Sequence, residues 1–267
     1  MTLRFAANLS TMFTSQAFSG RFAAARDAGF DLVEFQFPYE MAPTDLAKKL
    51  GGAGLEAVLF NMPPGNWEAG ERGLAAIPGR EAEFRESVAL ALEYASATGV
   101  AKLHCMAGMV SEGADRELMR DTFCRNLSHA ATEARKMAVE VLVEPINQVS
   151  VPGYFLSDFN EALSIIQAVE VDCGIAPGLQ FDLFHCAMMG LDPVATIGMC
   201  GNHIRHFQIA GIPGRNEPDL SGTATRAALN FISHDFKDAI IGCEYTPLDA
   251  PDASRGWIAE ARRLAKA

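Results

Sequence analysis

Positive charge is scarce in this chain. Lysine and arginine number 22 against 33 acidic residues, a formal net charge of −11. That balance argues against a protein whose work is to grip phosphate backbones, which needs clustered cations. Long apolar runs are missing too: no stretch reaches the roughly 18 residues that a membrane-spanning helix requires. The opening residues, MTLRFAANLS, hold no apolar segment followed by a small-residue cleavage site, so no export signal is read and a cytoplasmic location is expected. Six cysteines are present (Cys105, Cys124, Cys173, Cys186, Cys200 and Cys243) but no CxxC. Such scatter argues against a disulfide frame or a zinc cage and for reduced, mostly buried thiols. Neither GxxxxGK[ST] nor GxSxG occurs, and the first strand candidate is followed by NLSTMFT rather than a glycine-rich phosphate turn.

What is present is a rhythm. Hydrophobic residues make up 49% of the 267 positions, enough to bury the core of one large α/β domain over residues 1–267. No linker or composition break divides it. Strand-type runs occupy residues 3–9, 31–37, 55–61, 101–107, 139–145, 178–184, 204–210 and 239–245. Between them lie segments of helical period, clearest at 81–99 and also at 18–30, 116–137, 160–169 and 255–266, with the weakest signal at 225–231. The glycines of GGAG (51–54) close a helix. Eight strand–helix units in about 250 residues predict a closed, parallel (β/α)₈ TIM barrel. An open doubly wound sheet is the alternative, weakened by the missing phosphate turn.

The strand ends carry the chemistry. In VLVEPIN (141–147) three aliphatic residues run into Glu144, and Pro145 keeps that carboxylate on an extended backbone. IIGCEYTP (240–247) repeats the arrangement with Glu244, above an inward Gly242 that leaves room beneath it. Period two aligns Gln180 with Asp182 and His206 with Gln208. Glu144, Asp182, Gln208 and Glu244 thus fall at the last inward positions of strands five to eight, on the barrel face where active sites form. Three carboxylates brought together cannot all stay ionised without a counter-charge. Four oxygen donors suit Mg²⁺ or Mn²⁺.

With these residues goes a resemblance. RFAANLSTMF, AGFDLVEFQFPYE, GNWEAGERGLAAIPGRE, VEPIN, LQFDLFH, HFQIAGIPGRNEP and GCEY, running nearly end to end, resemble the hydroxypyruvate isomerase family of the xylose-isomerase-like barrels. The resemblance implies interconversion of hydroxypyruvate and tartronate semialdehyde. The sister branch, isomerising 2-oxo-tetronates, is matched at least as well by RFAANLS and LFN. It also implies that Glu144 and Glu244 transfer protons, that Glu144, Asp182, Gln208 and Glu244 bind the metal, and that His185 faces the substrate. One departure stands out: after GRNEPD the family continues Gly-Glu-Ile-Asn-Tyr, where this chain has LSGTATRAA (220–228).

The implied reaction passes through an enediolate, with one glutamate removing a proton from a carbon and the other supplying one to its neighbour. A small anionic oxo-acid needs a fixed cation, for which Arg72, Arg80 and Arg215 are the loop candidates, with Asn61 as a further polar contact. Asn8 and Glu34 face inward, where a role in the site and a buried structural hydrogen bond explain them equally well, and His104, His203 and His206 are read as structural. The family resemblance also implies a homo-oligomer. A sugar lyase or epimerase on the same barrel remains a rival. So does a DNA-repair endonuclease of the superfamily, for which six histidines and a net charge of −11 are a poor fit.

Overall fold

Runs of aliphatic and aromatic residues make the strands where period and composition predict them. The computed structural model describes residues 3–248 and 256–264. Its strands are β1 (Arg4–Asn8), β2 (Leu32–Phe35), β3 (Glu56–Asn61), β4 (Lys102–His104), β5 (Glu140–Val143), β6 (Gly178–Asp182), β7 (Ile204–Ile209) and β8 (Ile240–Cys243). They follow one another round a closed barrel, and the pairings β1–β2, β1–β8, β3–β4, β4–β5, β5–β6 and β7–β8 are parallel, which is the (β/α)₈ architecture expected. Every residue of β2 and β6 is buried, as parallel strands covered on both faces require.

Helices fill the intervals: α1 (Phe18–Asp27), α2 (Pro43–Ala53), α3 (Glu81–Thr98), α4 (Arg116–Arg135), α5 (Phe159–Cys173), α6 (Leu183–Met188), α7 (Pro193–Cys200), α8 (Thr223–Asp235) and α9 (Gly256–Leu264). Asp115, Asp158 and Asp192 start α4, α5 and α7 by accepting backbone N–H groups, each such cap contributing roughly 1 kcal/mol. GGAG does close a helix: α2 ends at Ala53, and Gly54 takes φ 64°. Several bounds change, the fourth strand ending at His104 rather than at 107. The sixth strand stops at Asp182, because Leu183 opens α6, and the weak helical signal at 225–231 belongs to the longer α8. Of the helix expected over 255–266, residues 255, 265 and 266 lie outside the described residues.

The packing falls into two compact units, one of Met1–Gln36, Lys48–Val58 and Phe181–Ala267, the other of Phe37–Ala47 and Leu59–Gln180. In the first, β1 pairs with β2 (Asn8↔Glu34) and β8 (Ala6↔Gly242), and β7 with β8 (Gln208↔Gly242). Edge-to-face contact between Phe5 and Trp257 ties β1 to α9. In the second, β3 pairs with β4 (Asn61↔His104), β4 with β5 (His104↔Leu142), and β5 with the start of β6 (Leu142↔Gly178). Phe123 on α4 meets Phe155 edge-on. A fully buried ring of this kind contributes roughly 1.5–3 kcal/mol. The six cysteines are free thiols, Cys124 and Cys173 partly exposed and the other four buried. No described helix is long and apolar enough to cross a membrane.

Candidate active site

In the first unit the polar groups of β1, β2, β6, β7 and β8 form a connected cluster. At its base sits Glu34 on β2, wholly buried. Asn8 Nδ2 and Gln208 Nε2 donate to its Oε1 at 2.9 and 2.8 Å, and His206 Nε2 lies 2.7 Å from its Oε2. Of the two readings left open for these inward residues, a buried hydrogen bond is the one this contact bears out. The inward Gly242 also takes on a clear meaning, because a Cβ there would lie 2.2 Å from Glu34 Oε2. The room it leaves is filled by the Glu34 carboxylate, not left open beneath Glu244.

Above this base stand two buried carboxylates. Asp182 ends β6 and caps α6, its Oδ1 accepting the Phe184 N–H at 2.8 Å. Glu244 follows directly on β8, its Oε1 accepting from Gln36 Nε2 at 3.0 Å. Arg215 spans the pair, with Nη2 3.4 Å from Asp182 Oδ2 and 3.2 Å from Glu244 Oε2, and its guanidinium over the Phe184 ring. Its backbone is held in the left-handed region (φ 54°) by hydrogen bonds to Gly211 and Thr246. His185 Nε2, on α6, is 3.7 Å from Asp182 Oδ2.

One guanidinium does not neutralise these acids. Burial pushes Asp182 up to about 7, against the pull of Arg215, with the negative charges of Glu244 and Glu34 adding to the rise. Glu244 is raised for the same leading reason, burial, opposed by Arg215 and reinforced by Glu34. Buried oxygen donors that resist ionising for want of positive charge are a fit for a hard divalent cation.

The second unit presents Glu144, the buried residue directly after β5. His104 on β4 lies beneath it, with Nδ1 3.6 Å from Glu144 Oε2. Burial depresses this imidazole to about 3, so it is neutral at any working pH. Tyr154 accepts the Ala107 N–H on its hydroxyl oxygen at 2.9 Å, and burial, with the nearby Glu144 charge, raises its pKa. Asn61 ends β3, and its backbone carbonyl accepts the Tyr39 hydroxyl at 2.7 Å. Arg72 stacks on Trp67, its guanidinium 3.6 Å from the ring centre, and donates to the carbonyls of Trp67 and Glu71. Arg80 is paired with Glu71 and Glu83. Both loop arginines are thus engaged within their own segment, whereas Arg215 meets the carboxylates.

Sequence reasoning missed Gln36, although it stands two residues past Glu34 and so on the same side of the chain. His206, read as structural, is buried and holds Glu34. A one-sequence reading lacks the register that joins β2 to β7 through Glu34.

The model of the "Xylose isomerase-like TIM barrel" family matches residues 22–267. A protein named 2-oxo-tetronate isomerase from Cupriavidus necator is 44% identical over 256 residues, covering 96% of this chain and 97% of its own length. One named hydroxypyruvate isomerase from Escherichia coli is 38% identical, covering 96% and 98%. A crystal structure titled AP endonuclease, family 2, from Brucella melitensis superposes with a TM-score of 0.92 at 40% identity, over 98% of this chain and all of that one.

Proposed function

The chain belongs to the xylose isomerase-like TIM barrel family, and from that membership we propose an isomerase that interconverts hydroxypyruvate and tartronate semialdehyde. The observation that carries this reading is the pair of buried acids at the ends of β6 and β8, Asp182 and Glu244, which share one arginine and are both raised by burial. Relatives named isomerases at 38–44% identity over nearly the whole chain support it. A second reading, a 2-oxo-tetronate isomerase, is favoured by the 44% relative.

In this reading Glu144, Asp182, Gln208 and Glu244 would hold a divalent ion, Mg²⁺ or Mn²⁺. Glu144 follows directly on β5, whose Leu142 and Val143 are in register with Gly178 and Leu179. Glu144, Asp182 and His185 are also of the type and burial that can hold such an ion. When bound, the cation polarises the substrate's carbonyl and hydroxyl oxygens, lowering the barrier by several kcal/mol. One of Glu144 and Glu244 takes the proton from one carbon, and the other returns a proton to the neighbouring carbon. Such general acid–base help is typically worth about 10²–10⁴-fold. Arg215 offers its planar fork to the substrate carboxylate, and His185 bonds a substrate oxygen; Asn61, Arg72 and Arg80 are secondary contacts. Neutral His104 sits against Glu144 without competing for its proton. The reading extends to a homo-oligomer in the cytoplasm, the first checked by light scattering and the second by cell fractionation.

The test is turnover of hydroxypyruvate and, separately, a 2-oxo-tetronate by purified protein with Mg²⁺, Mn²⁺ or Co²⁺ in D₂O. Solvent deuterium should enter the carbon next to the carbonyl. If neither acid is converted, the reaction is wrongly assigned.

A further inference from the structure

We propose that Glu34 is a positioning residue: it fixes which face of the Gln208 amide is turned toward the cation. The inference rests on the metal reading above and goes beyond it, since Glu34 itself would touch neither ion nor substrate.

A glutamine is an ambiguous metal ligand. Its carbonyl oxygen can coordinate a cation and its NH₂ cannot, yet the two ends have nearly the same shape and exchange by a half-turn of the amide. Something must decide between them. At Gln208 the decision is made from behind. Glu34 is an acceptor-only carboxylate, and Gln208 Nε2 donates to it at 2.8 Å. The opposite flip would set the amide oxygen against a carboxylate oxygen, wholly buried, where lost hydrogen bonds and like dipoles are most costly. With Nε2 committed to Glu34, Oε1 is turned away from it.

Glu34 can play this part because it is itself immobilised. Asn8 donates to the same Oε1, and His206 holds Oε2. Gly242, the register partner of Gln208, supplies the hole that the carboxylate fills, with both oxygens within 2.3 Å of where a Cβ would stand. Three strands therefore converge on one carboxylate whose remaining duty is toward Gln208. Partners of this kind behind a metal ligand typically change metal affinity about 10- to 100-fold.

A double-mutant cycle on Mn²⁺ affinity, read by electron paramagnetic resonance, tests the claim. Glu34→Met removes the acceptor and frees the amide to turn. It should weaken Mn²⁺ binding about 10- to 100-fold while Gln is at 208. In a Gln208→Glu background the ligand's two oxygens are equivalent and orientation no longer matters, so the same Glu34→Met change should cost less than about 3-fold. A general effect of Glu34 on charge or fold would weaken binding equally in both backgrounds, and that additive result overturns the proposal. So does unchanged affinity in Glu34→Met. Should Glu34→Met melt at assay temperature, the wild-type protein supplies the measurement. The Gln208 side-chain NH₂ signals in ¹⁵N spectra, identified by their loss in Gln208→Glu, should stay protected from solvent exchange with and without Mg²⁺. Rapid exchange of that NH₂ in the Mg²⁺-loaded protein overturns the proposal. Wild-type protein that binds no Mn²⁺ would bring down the metal reading and this inference together, whereas normal wild-type binding with an additive cycle removes only this inference.

Discussion

His104 matters for the proton it refuses. Buried against Glu144, it stays neutral down to about pH 3, whereas an imidazole in the unfolded chain protonates near 6.5. The native value is depressed, so the unfolded state binds the extra proton between these limits. Stability is full above about pH 6.5 and is lost as pH falls toward 3, at no more than about 1.4 kcal/mol per pH unit. Urea midpoints measured from pH 7 to pH 4 should fall more steeply for wild type than for His104→Asn. Equal slopes would remove the account of a buried neutral imidazole. Asp182 works in the other direction. With its carboxyl pushed up to about 7, a cation must displace a proton below that pH. Mn²⁺ affinity should therefore drop on acidification from pH 8 to 6, and Mn²⁺ added near pH 6.5 should release protons into weak buffer. Gly242→Ala is the third case at this scale. Its new methyl group drives into Glu34, and we expect a loss of about 1–3 kcal/mol in denaturant unfolding.

At the level of elements, the positions of the carboxylates were legible because a strand's period and a following proline say which side of the chain a residue takes. Glu144 and Glu244 do sit one residue past β5 and β8, and Asp182 ends β6. What could not be read was how β6 ends. LQFDLFH has the composition of a continuing strand, but Asp182 accepts the Phe184 N–H and turns the chain into α6, which carries His185 on a helix. A side-chain cap competes with strand composition only once the backbone has turned, and one sequence does not reveal that competition. The cap and the proposed ion-binding role of Asp182 together give a clean variant. Asparagine caps helices as well as aspartate does, and it brings no charge to bury. Asp182→Asn should keep its thermal unfolding at pH 8 while losing Mn²⁺ binding. Loss of both would mean that the cap and the ion site cannot be separated.

For the molecule as a whole, strand count, unit length and the lack of a phosphate turn were enough to reach the barrel, since few architectures house eight strand–helix repeats in this length. The division of labour among arginines was not reachable in that way. Arg72, Arg80 and Arg215 look alike as loop residues, and only the folded chain sets the first on Trp67, the second on Glu71 and Glu83, and the third on Asp182 and Glu244. A cation bound by the native fold alone also stabilises the whole. At a hundred times its dissociation constant it should add about 2.7 kcal/mol, which in a chain of this size raises the melting temperature by roughly 5–10 °C. Calorimetry with Mn²⁺ and then with chelator checks this. A melting point indifferent to both would contradict the ion site.

The glycine at 242 and the acid at 34 also constrain how this lineage can change. Neither can be replaced freely while its counterpart stays: a side chain at 242 collides with the acid, and shortening the acid first leaves a hollow under the seventh strand. Descendants of this gene should therefore alter the two codons in concert or keep both. Wherever a cousin carries a bulkier residue at 242, a smaller one should be found at 34.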